Sequence, residues 1–386
     1  MQIIAIASGK GGVGKSMLSS NLAVALGQNG KRVIAVDMDL GGSNLHLTLG
    51  AMGLPKGVGT YFDNPLTRLE DIIYPTDYKN LSIIPGESEL PGIANVPPAP
   101  KQRLLHDLRR LDCDYLLLDL GAGTHYNTMD FFLLSGNGIL VTNPTLTATL
   151  NAYLFLKNSV FRIMGSKFRK DSMAYSYLKQ LKKDGVSLQK IYLTKLLYQI
   201  KEIDPHSYEK VEQGMRLLRP KIVLNMVNDP KDMQRANKLR SSCCQYLSVD
   251  IEHLGVIYYD EVQSRALNAR LPVVAYKPQA IISQAVYRIA DRILEMDSRN
   301  VSPLSGEDAE TEYGGLFNHS YEMAGKEADD DYQLRRSQLQ ESLHSGMLSE
   351  GDMIETIKSQ QFDVQQLKLE NQFLKKKILD MAKKEK

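Results

Sequence analysis

SGKGGVGKSMLSSNLAVALG, residues 8–27, follows the short apolar run QIIAIA at residues 2–7, and the rest of the chain is read outward from it. A strand-like run leads into a glycine-rich turn and then a helix-like segment, which is the context that G-x-x-x-x-G-K-[ST] requires. Residues 9–16, GKGGVGKS, fit that pattern. In such a turn consecutive backbone N–H groups and the positive helix end enclose a phosphate. Lys15 reaches the β and γ oxygens, and the Ser16 hydroxyl takes a place on Mg²⁺. One lysine suffices for this, yet the loop holds two, Lys10 and Lys15.

Short continuous apolar runs recur at residues 3–7, 32–37, 81–86, 115–120, 138–143, 221–227 and 254–259. Their length and lack of alternation predict strands buried on both faces. Helix-like segments lie between them, at residues 17–28, 100–111, 147–164, 231–247 and 278–296. Alternation of the two predicts an α/β fold, a doubly wound and mostly parallel sheet. The crossover from residue 143 to 221 is too long for one helix, so residues 165–216 are read as a helical insertion. That insertion carries 11 Lys or Arg against 6 Asp or Glu.

With 43% apolar residues the chain can fill a large core, and a net charge of +2 gives it no global preference for nucleic acid or an anionic membrane. Three cysteines, two of them adjacent, form no disulfide framework and suit a reducing cytosol. The N-terminal apolar run is too short for a signal sequence or a membrane span. Seven scattered histidines make no cluster, so any metal is expected to be oxygen-bound.

The loop KGGVGKS, residues 10–16, resembles that of the MinD/ParA group of deviant P-loop ATPases, and the resemblance extends over residues 1–297. It implies that Gly11, Gly12, Val13, Gly14, Lys15, Ser16 and Met17 hold ATP, and that Lys10 reaches the nucleotide of a partner in an ATP-dependent homodimer. The run VDMDLGGSNL, residues 36–45, is similar to the family's second motif. By resemblance Asp39 orients the attacking water, and Asp37 supports the Mg²⁺ shell or the nearby loop. Read from the residues alone, the two carboxylates could equally cap the following turn. YLLLDLGAGT, residues 115–124, looks like the strand that delivers Asp119 toward Mg²⁺, with Gly121 and Gly123 in a switch loop. Asn225 matches an adenine-contacting asparagine, next to Met226 where many relatives have arginine. Asp260 fits a segment near the nucleotide or caps the next helix.

The C-terminal part, from residue 298 on, lies outside that resemblance. Residues 301–350 hold 11 acidic residues against 3 basic, and residues 298–348 are read as a solvated, partly disordered linker. From Met353 to Met381 apolar residues recur in steps of four and three, with Asn371 at an a position and Glu370 facing Lys375. Residues 349–386 therefore read as a coiled-coil helix, with a lysine-rich membrane-binding helix as the alternative. The expectation is a cytoplasmic ATPase that hydrolyses ATP slowly and positions a flagellum or division site. It acts through a protein partner or, reversibly, the inner face of the plasma membrane. A partition-type ATPase binding DNA nonspecifically is the alternative. An iron–sulfur carrier or amidase is disfavoured, because Cys243 and Cys244 do not form a C-x-x-C pair.

Overall fold

A computed structural model describes residues 1–86, 96–183, 192–299 and 307–344. The first strand, β1 (Gln2–Ala7), enters the phosphate loop and α1 (Lys15–Gln28), and β2 (Val33–Met38) follows. Two short helices, α2 (Leu45–Thr48) and α3 (Val58–Asp63), precede β3 (Tyr74–Pro75) and β4 (Leu81–Ile84). Then come α4 (Pro98–Leu108), β5 (Tyr115–Leu120), α5 (Tyr126–Ser135), β6 (Ile139–Thr142) and the long α6 (Leu146–Lys167). The insertion is helical as expected, with α7 (Met173–Lys183), α8 (Leu193–Ile203) and α9 (Pro205–Arg216). The chain returns through β7 (Lys221–Val227), α10 (Met233–Leu247), β8 (Glu252–Tyr258), α11 (Val262–Asn268), α12 (Val273–Tyr276), α13 (Ile281–Arg299) and α14 (Glu307–His344).

The eight strands form one sheet in the order β3-β4-β2-β5-β1-β6-β7-β8. All neighbours are parallel except β3 and β4. Helix α13 packs against α1 and β8, while α6 packs against α5 and α10. Every residue of β2, β5 and β6 is buried, which is why these strands read as unbroken apolar runs. α1 is enclosed on nearly all sides, with Leu18, Leu22 and Leu26 at the centre of the core, so its sequence shows no polar stripe. The parallel strands bring the ends of β1, β2 and β5 together at one carboxyl edge, where ligands bind in such sheets.

The acidic stretch departs from expectation. Instead of a linker at residues 298–348, residues 307–344 form α14, and the first compact unit runs through Asp329 rather than ending at 297. Tyr321, Ala324 and Ala328 recur at helical spacing and are buried, whereas Glu322, Lys326 and Asp329 point outward. Ser320 Oγ accepts the His253 N–H of the edge strand β8 at 3.1 Å, and the Tyr258 hydroxyl donates to the Ala328 carbonyl at 2.7 Å. Glu327 meets Arg292 and, at 3.7 Å, Arg288. Charge summed over fifty residues concealed a one-sided helix, on which Glu322 and Asp329 face solvent and Glu327 faces arginine. The second unit is Asp330–Lys386, of which residues 330–344 continue the helix; the expected coiled coil at 349–386 lies outside the described residues.

Candidate nucleotide site

The loop between β1 and α1 takes its shape from glycine. Gly12 (φ 77°) and Gly14 (φ 87°) adopt the left-handed conformation that side chains disfavour. A Cβ on Gly14 would also stand 2.1 Å from the Asn225 amide nitrogen, so glycine is required twice over. Neighbouring elements brace the loop: Asn225 Nδ2 donates to the Val13 carbonyl at 2.8 Å, and the Gly123 N–H donates to the Ser8 carbonyl at 3.0 Å. Asn225 is 2% exposed. That bond uses one amide hydrogen of Asn225 and sets the residue beneath the loop.

Lys15 is buried in the first turn of α1, between two carboxylates, 3.6 Å from Asp119 Oδ1 and 3.9 Å from Asp39 Oδ2. Asp119 is also buried, and Ser19 donates to its Oδ1 at 2.9 Å. Burial pushes its carboxyl up, while Lys15, Ser16 and Ser19 pull it down. Its Oδ2 is buried and has no hydrogen-bond partner. An orphaned carboxylate oxygen beside a serine hydroxyl fits a hard cation that takes oxygen donors and completes its shell with phosphate and water. Among the described residues no group of three or more His, Cys, Asp or Glu could hold a metal unaided. A Mg²⁺ shared with bound phosphates needs none.

Asp37 and Asp39 separate in role. Asp37 is fully buried and pairs in register with Asp119, and burial together with the Asp119 charge pushes its carboxyl up to about 7. One oxygen accepts the Asp39 N–H at 3.0 Å; the other accepts the Ser43 hydroxyl at 2.7 Å and the Leu45 N–H at 2.9 Å. These bonds fit the loop-holding alternative for Asp37. Asp39, 30% exposed, turns to Lys15 and lies against the backbone of Gly121. Asp260 accepts the Val262 N–H at 2.9 Å and starts α11, the capping alternative.

Lys10 stands outside this cluster, exposed, and its Nζ donates to Thr147 Oγ1 at 3.1 Å in the first turn of α6. That turn lies close: a Cβ on Gly9 would be 2.2 Å from the Asn151 carbonyl oxygen. Ser19 and Thr147 were not anticipated. Ser19 follows Lys15 by one helical turn, so its spacing was a usable signal; Thr147 is distant in sequence and left none.

A strand, a glycine loop and a helix that set one lysine between two strand-end carboxylates define a P-loop nucleotide-binding fold. The family model for the CobQ/CobB/MinD/ParA nucleotide-binding domain matches residues 4–273, and the chain belongs to that family of P-loop ATPases. The septum site-determining protein MinD of Helicobacter pylori is 31% identical over 147 residues, 38% of this chain and 54% of that protein. The chain thus spans about half the length of that relative. The antiactivator FleN of Pseudomonas aeruginosa is 24% identical over 296 residues, 76% of this chain and 86% of FleN. In fold the chain is similar to Pyrococcus horikoshii MinD complexed with Mg-ADP, with a TM-score of 0.50 and 23% identity over 78% of this chain and 99% of that one.

Proposed function

We propose that the chain is an ATP-driven switch. It binds ATP with Mg²⁺, pairs with a second copy around the nucleotides, hydrolyses ATP slowly and regulates the placement of a flagellum or division site. Lys10 carries this reading: it sits on the phosphate loop yet outside it, held by Thr147 while Lys15 fills the inner position. A cation in that place acts best on the nucleotide of a second subunit, so that hydrolysis depends on association.

Within one subunit, the N–H groups of residues 11–17 and Lys15 hold the phosphates. Ser16 and Asp119 would hold Mg²⁺, which would supply neutralising charge to the bound phosphates. Asp39, partly exposed beside the Gly121 backbone, orients the attacking water, and Asp37 fixes the loop that carries it. The Mg-ADP complex of a MinD of the same fold supports the nucleotide and metal. The likenesses to MinD and FleN support spatial regulation. Output passes to a protein partner or to the inner face of the membrane; among the described residues no helix is long and apolar enough to cross one.

The test is ATP turnover against protein concentration, with anionic liposomes or duplex DNA added in separate arms. Turnover per molecule is expected to rise with protein concentration and to vanish when EDTA removes Mg²⁺. Lys10→Ala is expected to keep ATP binding within a few-fold and lose about 10²-fold in turnover. Unchanged turnover in Lys10→Ala refutes the pairing. Stimulation by DNA alone replaces the positioning reading with the partition reading.

A further inference from the structure

Among the described residues, four other than glycine take the left-handed conformation: Asn80, Met226, Ser248 and Arg270. Three of them lie in turns or at a helix end, where such a φ is ordinary, but Met226 (φ 58°) lies inside β7. The strand is bulged there. Between the pairs Leu224–Val256 and Val227–Tyr258, β7 has two residues, Asn225 and Met226, where β8 has only Ile257. A bulge of this kind bends the strand and re-aims its side chains, and a left-handed methionine carries strain that other contacts must offset.

The strain coincides with a close approach to the phosphate loop. Asn225, the first residue of the bulge, donates from Nδ2 to the Val13 carbonyl at 2.8 Å, and a Cβ on Gly14 would stand 2.1 Å from the same nitrogen. The amide thus lies directly against the Val13–Gly14 peptide. In a trans peptide the C=O and N–H point in opposite directions, and the chain has no cis peptide bond. A Val13 carbonyl turned inward to the buried Asn225 therefore turns the Gly14 N–H outward, to the open side of the loop.

That orientation is not fixed by the loop itself. Rotation of the Val13–Gly14 peptide changes φ of Gly14, and glycine accepts either sign of φ at little cost. The rotated peptide would present a carbonyl oxygen where an N–H is needed, and an oxygen repels phosphate. On the other side of Gly14 its carbonyl already accepts the Leu18 N–H at 3.0 Å in the first turn of α1, so a lock is needed only at Val13.

We propose that Asn225 is a positioning residue of the phosphate loop: it locks the Val13–Gly14 peptide with its N–H toward the bound phosphates, and the bulge at Met226 aims it there. This role rests on the reading that the loop holds phosphates. An asparagine that serves only the base behaves differently, because a ligand without a base would not feel its loss.

Inorganic tripolyphosphate with Mg²⁺, which has neither ribose nor base, is the probe, titrated calorimetrically into the full-length protein beside Mg-ATP. Asn225→Ala and Asn225→Leu are each expected to weaken tripolyphosphate about tenfold. Leucine keeps the volume and removes the donor, so near wild-type affinity in Asn225→Leu makes the residue a packing group and overturns the proposal. Loss confined to ATP makes it a base contact and overturns the proposal too. Met226→Gly and Met226→Val both remove the methionine side chain, but only glycine is at ease with a positive φ. Tripolyphosphate affinity is expected to stay within about twofold in Met226→Gly and to fall about tenfold in Met226→Val; equal affinities overturn the role of the bulge. Melting curves establish which variants are folded, and Asn225→Ala, the smaller change, decides the role of the amide where Asn225→Leu does not fold. Failure of wild type to bind either ligand refutes the nucleotide reading and the lock with it, whereas intact wild-type binding with unaffected Asn225 variants refutes the lock alone.

Discussion

The carboxyl edge of the sheet and its β8 edge both bury charge, but they treat it differently. At the phosphate loop, Lys15 stands 3.6 Å from Asp119, whose other oxygen is buried without a partner. At the β8 edge, Arg240 grips Asp250 at 2.7 Å and also bonds Asn318 of α14, while Arg292 grips Glu327 and the Leu254 carbonyl. Unspent polar capacity at the first edge is available to a ligand; matched pairs at the second hold a helix in place. His253 breaks the pattern, since it is buried beneath Tyr321 with both ring nitrogens unpartnered.

Substitutions at the two edges should therefore separate activity from stability. The largest effect is expected from Lys15→Ala, with ATP turnover falling about 10²–10³-fold in a phosphate-release assay. Tyr321→Ala should leave turnover nearly intact but cost about 3 kcal/mol, read as a lowered urea midpoint, because it removes a buried ring from the β8 cover.

A pH effect comes next. Burial, with Arg292 nearby, holds the His253 imidazole down at about 3 against an ordinary 6.5. Between these values the unfolded chain binds the proton and the folded chain does not, so this contribution is full above pH 6.5 and is lost as pH falls toward 3. Lowering pH from about 6.5 to about 5 should cost roughly 2 kcal/mol through this group. Asp37 works in the opposite direction: raised from 3.8 to about 7, it favours the folded state at low pH and loses that contribution as pH rises through this interval. Comparing wild type with His253→Phe across the pH range isolates the histidine, and identical slopes would refute its assignment. The smallest effect is expected from Glu327→Gln, about 1 kcal/mol in the urea midpoint, because Arg292 retains the Leu254 carbonyl.

Much of the first edge was legible in the sequence. The loop at residues 9–16 and its lysines were legible from local spacing, whereas the carboxylates at 37, 39 and 119 were assigned to the site by resemblance to the family's motifs. The bracing role of Asn225 was not legible, because its 2.8 Å bond to Val13 joins residues 212 apart in the chain. Thr147 was invisible for a related reason, since 137 residues separate it from Lys10. α14 was missed because its composition argued for solvation, while its burial depends on β8, α10 and α13 presenting partners for one face.

The sequence by itself determined the doubly wound sheet and the phosphate loop, because hydrophobic runs and glycine φ requirements are local and cannot be met otherwise. Only the tertiary structure decided that Asp37 holds a loop, that Asn225 braces another, and that an acidic segment becomes a docked helix. Those outcomes depend on which distant groups remain unsatisfied after the core has closed, and pairing between distant groups is set by the fold.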